Sequence, residues 1–176
     1  VVSKSVAQCD WPPPMNYASV NSSQTSETTP TVLWWSRSGR DYSRDRVVRK
    51  AFQSLGWAID EFAPMFSGTA DIEASLRGVK KPQLVWVPCF RQRDAAAAQR
   101  WARRHDVPLV LDPLISAWDK QVFERHKLVE NSAQAQRLLR WESSLFNHSD
   151  IVIADTDCHA EFFRSALGVD ASKVAV

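Results

Sequence analysis

The sequence VPLVLDPLISAWDK, residues 107–120, decides the fold class of this chain. Its first part, Pro108–Leu111, is a short apolar run opened by a proline, which predicts a buried strand. Asp112 and Pro113 follow directly, and we expect them to end the strand abruptly. A buried strand of this kind, lying between helical segments, is typical of an α/β protein.

The residues after this strand are the first candidates for chemistry. Asp112 is an acid at the carboxyl end of the strand, and the next loop carries Asp119 and Lys120. Open α/β sheets place their ligands at this edge. The alternative is that both acids are caps, Asp112 of the loop and Asp119 of the following helix, because aspartate is a favoured capping residue. Position alone leaves both interpretations open.

On either side of this stretch, strand-like runs alternate with helical periodicities. The other predicted strands are Val32–Trp35, Trp57–Phe62, Gln83–Pro88, Asp150–Ala154 and a final one beginning in Lys173–Val176. The predicted helices are Arg46–Leu55, Asp71–Leu76, Arg93–His105, a long region Ala117–Asn147 broken near Asn131, and Asp157–Leu167. Strands separated by helices imply parallel βαβ units with right-handed crossovers. We therefore predict a Rossmann-like three-layer α/β/α domain with a mostly parallel sheet.

The domain is expected to span residues 31–176. Residues 1–30 are rich in Pro, Ser, Thr and Asn and predict a disordered tail or linker, because they cannot bury enough apolar area to offset the entropy of ordering. The chain begins with Val1 and ends in an apolar run that resembles a strand cut short. We therefore expect a fragment of a larger protein.

Composition narrows the class of protein. A hydrophobic fraction of 44% and a charged fraction of 24% are those of a soluble globular domain, and the net charge of +2 is too small to indicate a nucleic-acid partner. Three widely spaced cysteines fit reduced thiols in a cytoplasmic protein. No apolar run approaches the roughly 18 residues of a membrane span, and no signal peptide is recognisable.

Several common site motifs are missing. The loop after the first strand, Ser36–Asp45, has Gly39 as its single glycine, so it lacks the G-x-G-x-x-G of dinucleotide sites, and no P-loop sequence occurs. The histidines form no H-E-x-x-H motif, and no metal site is predicted. The arginines of the loop either bind an anionic or sugar-like group or are simply solvated. The basic helix Arg93–His105 either touches an anionic membrane surface or, more often for such a pattern, faces water.

The segment Arg137–Phe163 carries the most information. Glu142 shares the apolar face of its helix, so it needs a partner or a function. Thr156 follows the predicted strand Asp150–Ala154, with Asp157 as a plausible helix cap. His159 lies in the first turn of the next helix, at the same sheet edge as the acids of the central stretch, although such a residue is more often an ordinary surface position.

The order R-x-x-x-W-E-x-x-L-F-x-x-x-D-x-V-I-A-D-T-x-x-H in this segment, followed by G-V-x-x-x-K-V-A-V, resembles the N-terminal domain of glycosyltransferase family four enzymes. The preceding LVLDPLISAWDKQVFER is similar to the acceptor-side loop of bacterial members. These enzymes have the GT-B fold, in which two Rossmann-like domains face each other across a cleft. The resemblance covers about residues 32–176 and implies that this chain is the N-terminal half of such a fold.

The resemblance also implies a function. Family members are retaining transferases that move a sugar from a nucleotide sugar to a glycan or lipid-linked acceptor, without a metal. The N-terminal domain mainly binds the acceptor, and the C-terminal domain, missing here, holds the nucleotide sugar. We expect a hexosyltransferase as the full-length parent, an inactive fragment, no cofactor apart from the donor as co-substrate, and a cytoplasmic location that leaves contact with the inner face of the membrane open.

The resemblance further implies site residues. Many members have a histidine just after the fourth strand, where this sequence has Asp112, and we expect Asp112 to be catalytic by orienting an acceptor hydroxyl or the donor sugar. The expected substrate contacts are Ser38, Gly39, Arg40 and Tyr42 of the first loop, together with Asp119, Lys120, Thr156 and His159. The alternatives are a different Rossmann-like enzyme that binds a nucleotide or small anion, and a non-catalytic interaction domain.

Overall fold

The computed structural model describes residues 29–37 and 42–176. Residues 1–28, which make up most of the predicted tail, and loop residues 38–41 lie outside this described part. The described residues form a six-stranded, all-parallel sheet with the strand order β2-β1-β3-β4-β5-β6. The strands are β1 Thr31–Trp35, β2 Ala58–Phe62, β3 Leu84–Val87, β4 Leu109–Leu114, β5 Ile151–Ala154 and β6 Val174–Ala175.

Helical segments connect these strands. They are α1 Ser43–Ser54, α2 Ala70–Leu76, α3 Gln92–His105, α4 Ala117–Asp119 continued by a π-helical turn Lys120–Glu124, α5 Ala133–Asn147 and α6 Asp157–Ser165, with 3₁₀ turns at Ser67–Thr69 and Ala171–Lys173. The predicted Rossmann-like α/β fold is therefore confirmed. None of the helices in the described ranges is long and apolar enough to cross a membrane.

Alternating side chains of the strands pack against helices on both faces of the sheet. On one face, Trp34 and Trp86 stack with ring centroids 6.1 Å apart and pack with Phe52 of α1. On the other face, a larger buried core contains Trp35 and Trp101 and is covered by α2, α3, α5 and α6. This division gives the three layers, and it puts the carboxyl ends of all six strands at one edge.

The prediction that Asp112 and Pro113 end the central strand is wrong. β4 continues to Leu114, and its pairing with β5 shifts register between Leu111 and Leu114. A bulge of this kind accommodates a proline, because one residue of the bulge needs no ladder hydrogen bond. Leu114 takes a left-handed backbone conformation with φ of 67°. The bulge thus redirects the chain at the edge where the site was expected.

The predicted long helix, Ala117–Asn147, is interrupted more widely than expected. The helical part that begins at Ala117 ends at Glu124, and α5 begins only at Ala133. His126, between them, has a φ of 50°. Ser132 caps α5 by accepting a hydrogen bond from the backbone N–H of Ala135. A cap of this type starts a new helix. The predicted break near Asn131 therefore corresponds to the point where α5 begins, and the point where the preceding helical segment ends was not predicted.

The basic helix α3 is tied to α2 by a buried acid. Asp71 is 2% exposed and accepts hydrogen bonds from Arg100 at 2.7 and 3.2 Å, and Arg104 lies 2.9 Å away. Part of the positive charge that the sequence shows on this helix is therefore neutralised inside the fold. Hydrogen bonds from Arg100 hold the pKa of Asp71 below its ordinary value.

Replacing Asp71 with asparagine is expected to lower the free energy of unfolding by about 1–3 kcal/mol at pH 7, because charge-assisted hydrogen bonds are lost. The lowered pKa means that the carboxylate contributes stability above its unfolded pKa of about 3.9 and loses it as the pH falls through the folded value. The difference in the free energy of unfolding between wild type and variant should therefore become smaller below about pH 4. Urea unfolding at pH 7 and at pH 3 measures this difference. The exposed Asp60→Asn serves as the control. A gap that is unchanged by pH would contradict this account.

Candidate functional site

The centre of the site is an ion pair between the start of α1 and the end of β4. The Nε of Arg44 donates to both carboxylate oxygens of Asp112, at 2.9 Å each. The Asp112 side chain is 1% exposed, whereas the Arg44 side chain is 27% exposed. In the described part of the chain, the terminal nitrogens of Arg44 have no hydrogen-bond partner. The buried acid therefore holds an arginine whose outer face is open to a ligand.

Burial changes the acid–base behaviour of this acid. Removal of water raises the pKa of Asp112 above its ordinary value, and the hydrogen bond from Arg44 offsets part of this effect. The carboxylates of Asp45 and Asp155 push the pKa in the same upward direction as burial. A buried acid with a perturbed pKa at the end of a parallel strand is frequent at functional sites.

A second layer of contacts fixes the start of α1. The side chain of Asp45 accepts a hydrogen bond from the backbone N–H of Tyr42 at 3.2 Å, and its other oxygen accepts from the thiol of Cys89 at 3.2 Å. Burial, assisted by Asp45, raises the pKa of Cys89, so this thiol stays protonated. Cys89 therefore acts as a hydrogen-bond donor that joins α1 to the loop after β3.

Phe90 lies at the middle of this edge. Its ring is 4.9 Å from the ring of Tyr42, and the Nζ of Lys120 lies 4.7 Å from its centroid, a cation–π distance. Phe90 has a φ of 60°, a left-handed conformation that is unusual for an aromatic residue. The fold thus brings together two of the predicted contacts, Tyr42 and Lys120, around an aromatic ring that the sequence did not single out.

The remaining predicted contacts lie at the starts of helices. Thr156, and not Asp157, caps α6 by accepting from the backbone N–H of His159 at 3.2 Å, so the prediction that Asp157 is the cap is wrong. The ring of His159 forms a hydrogen bond with the carboxylate of Asp155. Asp155, directly after β5, connects this pair electrostatically to the buried acid at the end of β4.

The loop after β4 is held by a buried glutamate. Glu142 is fully buried on α5, and its carboxylate accepts from the hydroxyl of Ser116 and the backbone N–H groups of Ala117 and Trp118, at 2.6, 2.6 and 2.9 Å. Ser116 caps α4 by accepting from the N–H of Asp119, so the alternative that Asp119 is the cap is wrong. The expectation that Glu142 needs a partner is confirmed.

A pocket of about 880 Å³ adjoins this cluster and shares Phe90 with it. Four arginines line it, Arg37, Arg91, Arg93 and Arg137, whereas Asp94 is its one acidic residue among those the structure describes. Asp119 is half-buried at the end of α4. The predicted contacts Ser38, Gly39 and Arg40 lie outside the described residues.

Residues 30–176 match the sequence profile of a family described as "Glycosyl transferase 4-like domain". The chain belongs to this family. The match confirms the resemblance inferred from Arg137–Phe163 and from the final apolar run. No curated protein matches the sequence.

The glycosyltransferase-like domain also has solved structural neighbours. The crystal structure of Anabaena HepE in complex with UDP superposes with a TM-score of 0.50 at 14% identity, over 83% of this chain and 43% of HepE. At that identity the likeness shows a shared fold alone. The domain therefore spans less than half the length of HepE.

Sequence reasoning missed several residues of this glycosyltransferase-like domain. Arg44 and Asp112 are 68 positions apart, and no local pattern links them. Asp155 lies directly after β5 and four residues before His159, a spacing at which side chains pair along a helix, but the predicted helix began only at Asp157. Their positions in the chain could have indicated Arg44 and Asp155. Arg44 lies at the start of the helix after β1 and Asp155 lies directly after β5, and both of these points face the carboxyl edge of the sheet.

Proposed function

We propose that this chain is the acceptor-binding half of a retaining glycosyltransferase that moves a sugar from a nucleotide sugar to a glycan or lipid-linked acceptor. The observation that carries the proposal is the family match over residues 30–176, together with an arginine held open at the carboxyl edge of the sheet. That the chain spans 43% of HepE agrees with one domain of a two-domain enzyme, and the UDP bound by HepE supports a nucleotide-sugar donor.

In this proposal the residues at the carboxyl edge of the sheet have different roles. Arg44 donates from its free terminal nitrogens to donor phosphate or acceptor oxygens when the cleft closes, because a guanidinium matches such groups in geometry and charge. Asp112 acts as a positioning residue that holds Arg44, since its own carboxylate is buried. Tyr42 and Lys120 contact the substrates beside Phe90, and His159 contacts them at the start of α6.

The proposal also covers the donor domain, the cofactors and the cellular location. The sugar donor is bound mainly by a C-terminal domain, no metal or further cofactor takes part, and the enzyme is cytoplasmic. Because the Asp155 carboxylate accepts from Nδ1–H of His159, the other ring nitrogen, Nε2, is suited to accept a hydrogen bond from a substrate hydroxyl. Ser38, Gly39 and Arg40 remain proposed contacts of the first loop.

The test is a transfer assay on the polypeptide encoded by the whole reading frame, with a panel of UDP-, GDP- and ADP-sugars and nucleotide release as the readout. We expect turnover with one donor class, and none from residues 1–176 alone. Calorimetric titration of residues 1–176 with the same nucleotides should show no binding tighter than about millimolar. Tight nucleotide binding by this chain alone would instead favour a different Rossmann-like enzyme, and absence of transfer by the whole polypeptide would favour an interaction domain.

A further inference from the structure

We infer that the arginine-lined pocket binds the acceptor through a negatively charged group, so that the acceptor is an acidic saccharide carrying a carboxylate or a phosphate. This inference rests on the proposed function and names the substrate class of the same site. The pocket lies between the loop after β1, the start of α3, the segment formed by α4 and its π-helical turn, and the first half of α5. It adjoins the candidate site through Phe90.

The charge of the pocket is unbalanced. Arg37, Arg91, Arg93 and Arg137 line it, and none of them lies within ion-pairing distance of a carboxylate in the described ranges. Elsewhere the fold pairs its arginines where they converge, as at Asp71. Four unpaired guanidinium groups around one concave surface repel each other and attract an anion.

The pocket also contains a buried carboxylate, that of Asp94, which a site for a simple anion would not need. Asp94 is 2% exposed, its Oδ2 accepts weakly from the backbone N–H of Arg37 at 3.5 Å, and its Oδ1 has no hydrogen-bond partner among residues 29–37 and 42–176. An unpaired carboxylate oxygen in such a place is costly unless a donor occupies it. A hydroxyl group is such a donor, so a ligand that carries both hydroxyls and a negative charge satisfies Asp94 and the arginines together.

The rest of the lining suits a sugar ring. Trp141 is 37% exposed and, with Phe90 and Leu138, forms the apolar part of the wall. The apolar face of a pyranose packs on such surfaces while its hydroxyls reach the polar groups. Because Phe90 also contacts Tyr42 and Lys120, a saccharide in the pocket extends towards Arg44, where transfer is proposed.

The experiment is a calorimetric titration of residues 1–176 with pairs of saccharides that differ in charge. Cellobiouronic acid is compared with cellobiose, from which it differs by one carboxylate, and glucose 6-phosphate is compared with glucose and with inorganic phosphate. We expect one acidic saccharide to bind at least about tenfold more tightly than its neutral counterpart, with the difference shrinking as salt is raised.

Matched variants locate the effect. Arg93→Gln on α3 and Arg137→Gln on α5 should each weaken binding of that acidic saccharide about tenfold. Arg103→Gln and Arg140→Gln remove exposed arginines from the same two helices outside the pocket, and they should change the affinity less than twofold. Thermal unfolding of all four variants controls for the fold.

Each other outcome has a distinct meaning. Equal binding of acidic and neutral saccharides overturns the inference and leaves the proposed function standing. Inorganic phosphate that binds as tightly as glucose 6-phosphate overturns it in favour of a free-anion site, and equal losses in pocket and control variants overturn it in favour of nonspecific attraction. Binding of none of the saccharides overturns the inference, whereas the proposed function is decided separately by the transfer assay.

Discussion

Replacing Glu142 with alanine is expected to lower the free energy of unfolding by about 3–5 kcal/mol. The change leaves the hydroxyl of Ser116 and the N–H groups of Ala117 and Trp118 buried without an acceptor. It also leaves a cavity where a fully buried side chain was. Urea denaturation monitored by tryptophan fluorescence measures the effect, since the midpoint should fall while the slope stays constant.

Two further variants sharpen this test. Glu142→Gln keeps one acceptor oxygen but presents an amide N–H to groups that are themselves donors, so an intermediate loss is expected. Glu161→Ala removes an exposed glutamate whose nearest partner, Arg164, is 4.0 Å away, and it should cost less than about 0.5 kcal/mol. A loss below about 1 kcal/mol for Glu142→Ala would show that water replaces the carboxylate at the start of α4.

In the proposed two-domain glycosyltransferase, Asp112→Asn is expected to lower kcat/KM about 100-fold, because an asparagine side chain cannot hold Arg44 in one orientation by charge. Arg44→Gln should cause a loss of similar size. Because the two residues act as a unit, the double variant should be no worse than about threefold below either single variant. The measurement is steady-state transfer with the donor identified in the panel assay.

The control for this prediction is Asp60→Asn, an exposed acid on β2, which should leave kcat/KM unchanged. Losses that multiply in the double variant would mean that Asp112 and Arg44 act separately, and would return Asp112 to the role of a direct substrate contact. Full activity of Asp112→Asn would show that the Arg44–Asp112 pair takes no part in transfer.

The sequence allowed most of the fold to be predicted, because the strands are apolar runs and the helices keep a regular apolar face. It also allowed Glu142 to be identified, since a charge on the buried face of a helix is visible in a helical projection. It did not reveal that β4 continues past Pro113, because a proline normally ends a ladder and the bulge that tolerates it depends on β5.

The chemistry of the site was less predictable, because it also depends on contacts between segments that are distant in the sequence. Asp112 and Lys120 could be placed at the edge from the order of the elements alone. The partners that define what they do, Arg44 and Phe90, come from other βα connections, and pairing across such distances is decided by tertiary packing. Arg44, the partly exposed cation of the site, lies in the first turn of α1, which the sequence predicted to be part of a polar loop.

The left-handed backbone at Phe90 has a consequence for how this domain tolerates change. A non-glycine residue held there costs about 1–3 kcal/mol, and the strain persists because the ring lies between Tyr42 and Lys120. A glycine at this position would relieve the strain and remove the ring that joins the pocket to the edge. For the proposed transfer reaction, stability and activity therefore oppose each other at this residue, and a population of variants selected only for heat resistance should lose its aromatic residue at position 90 early.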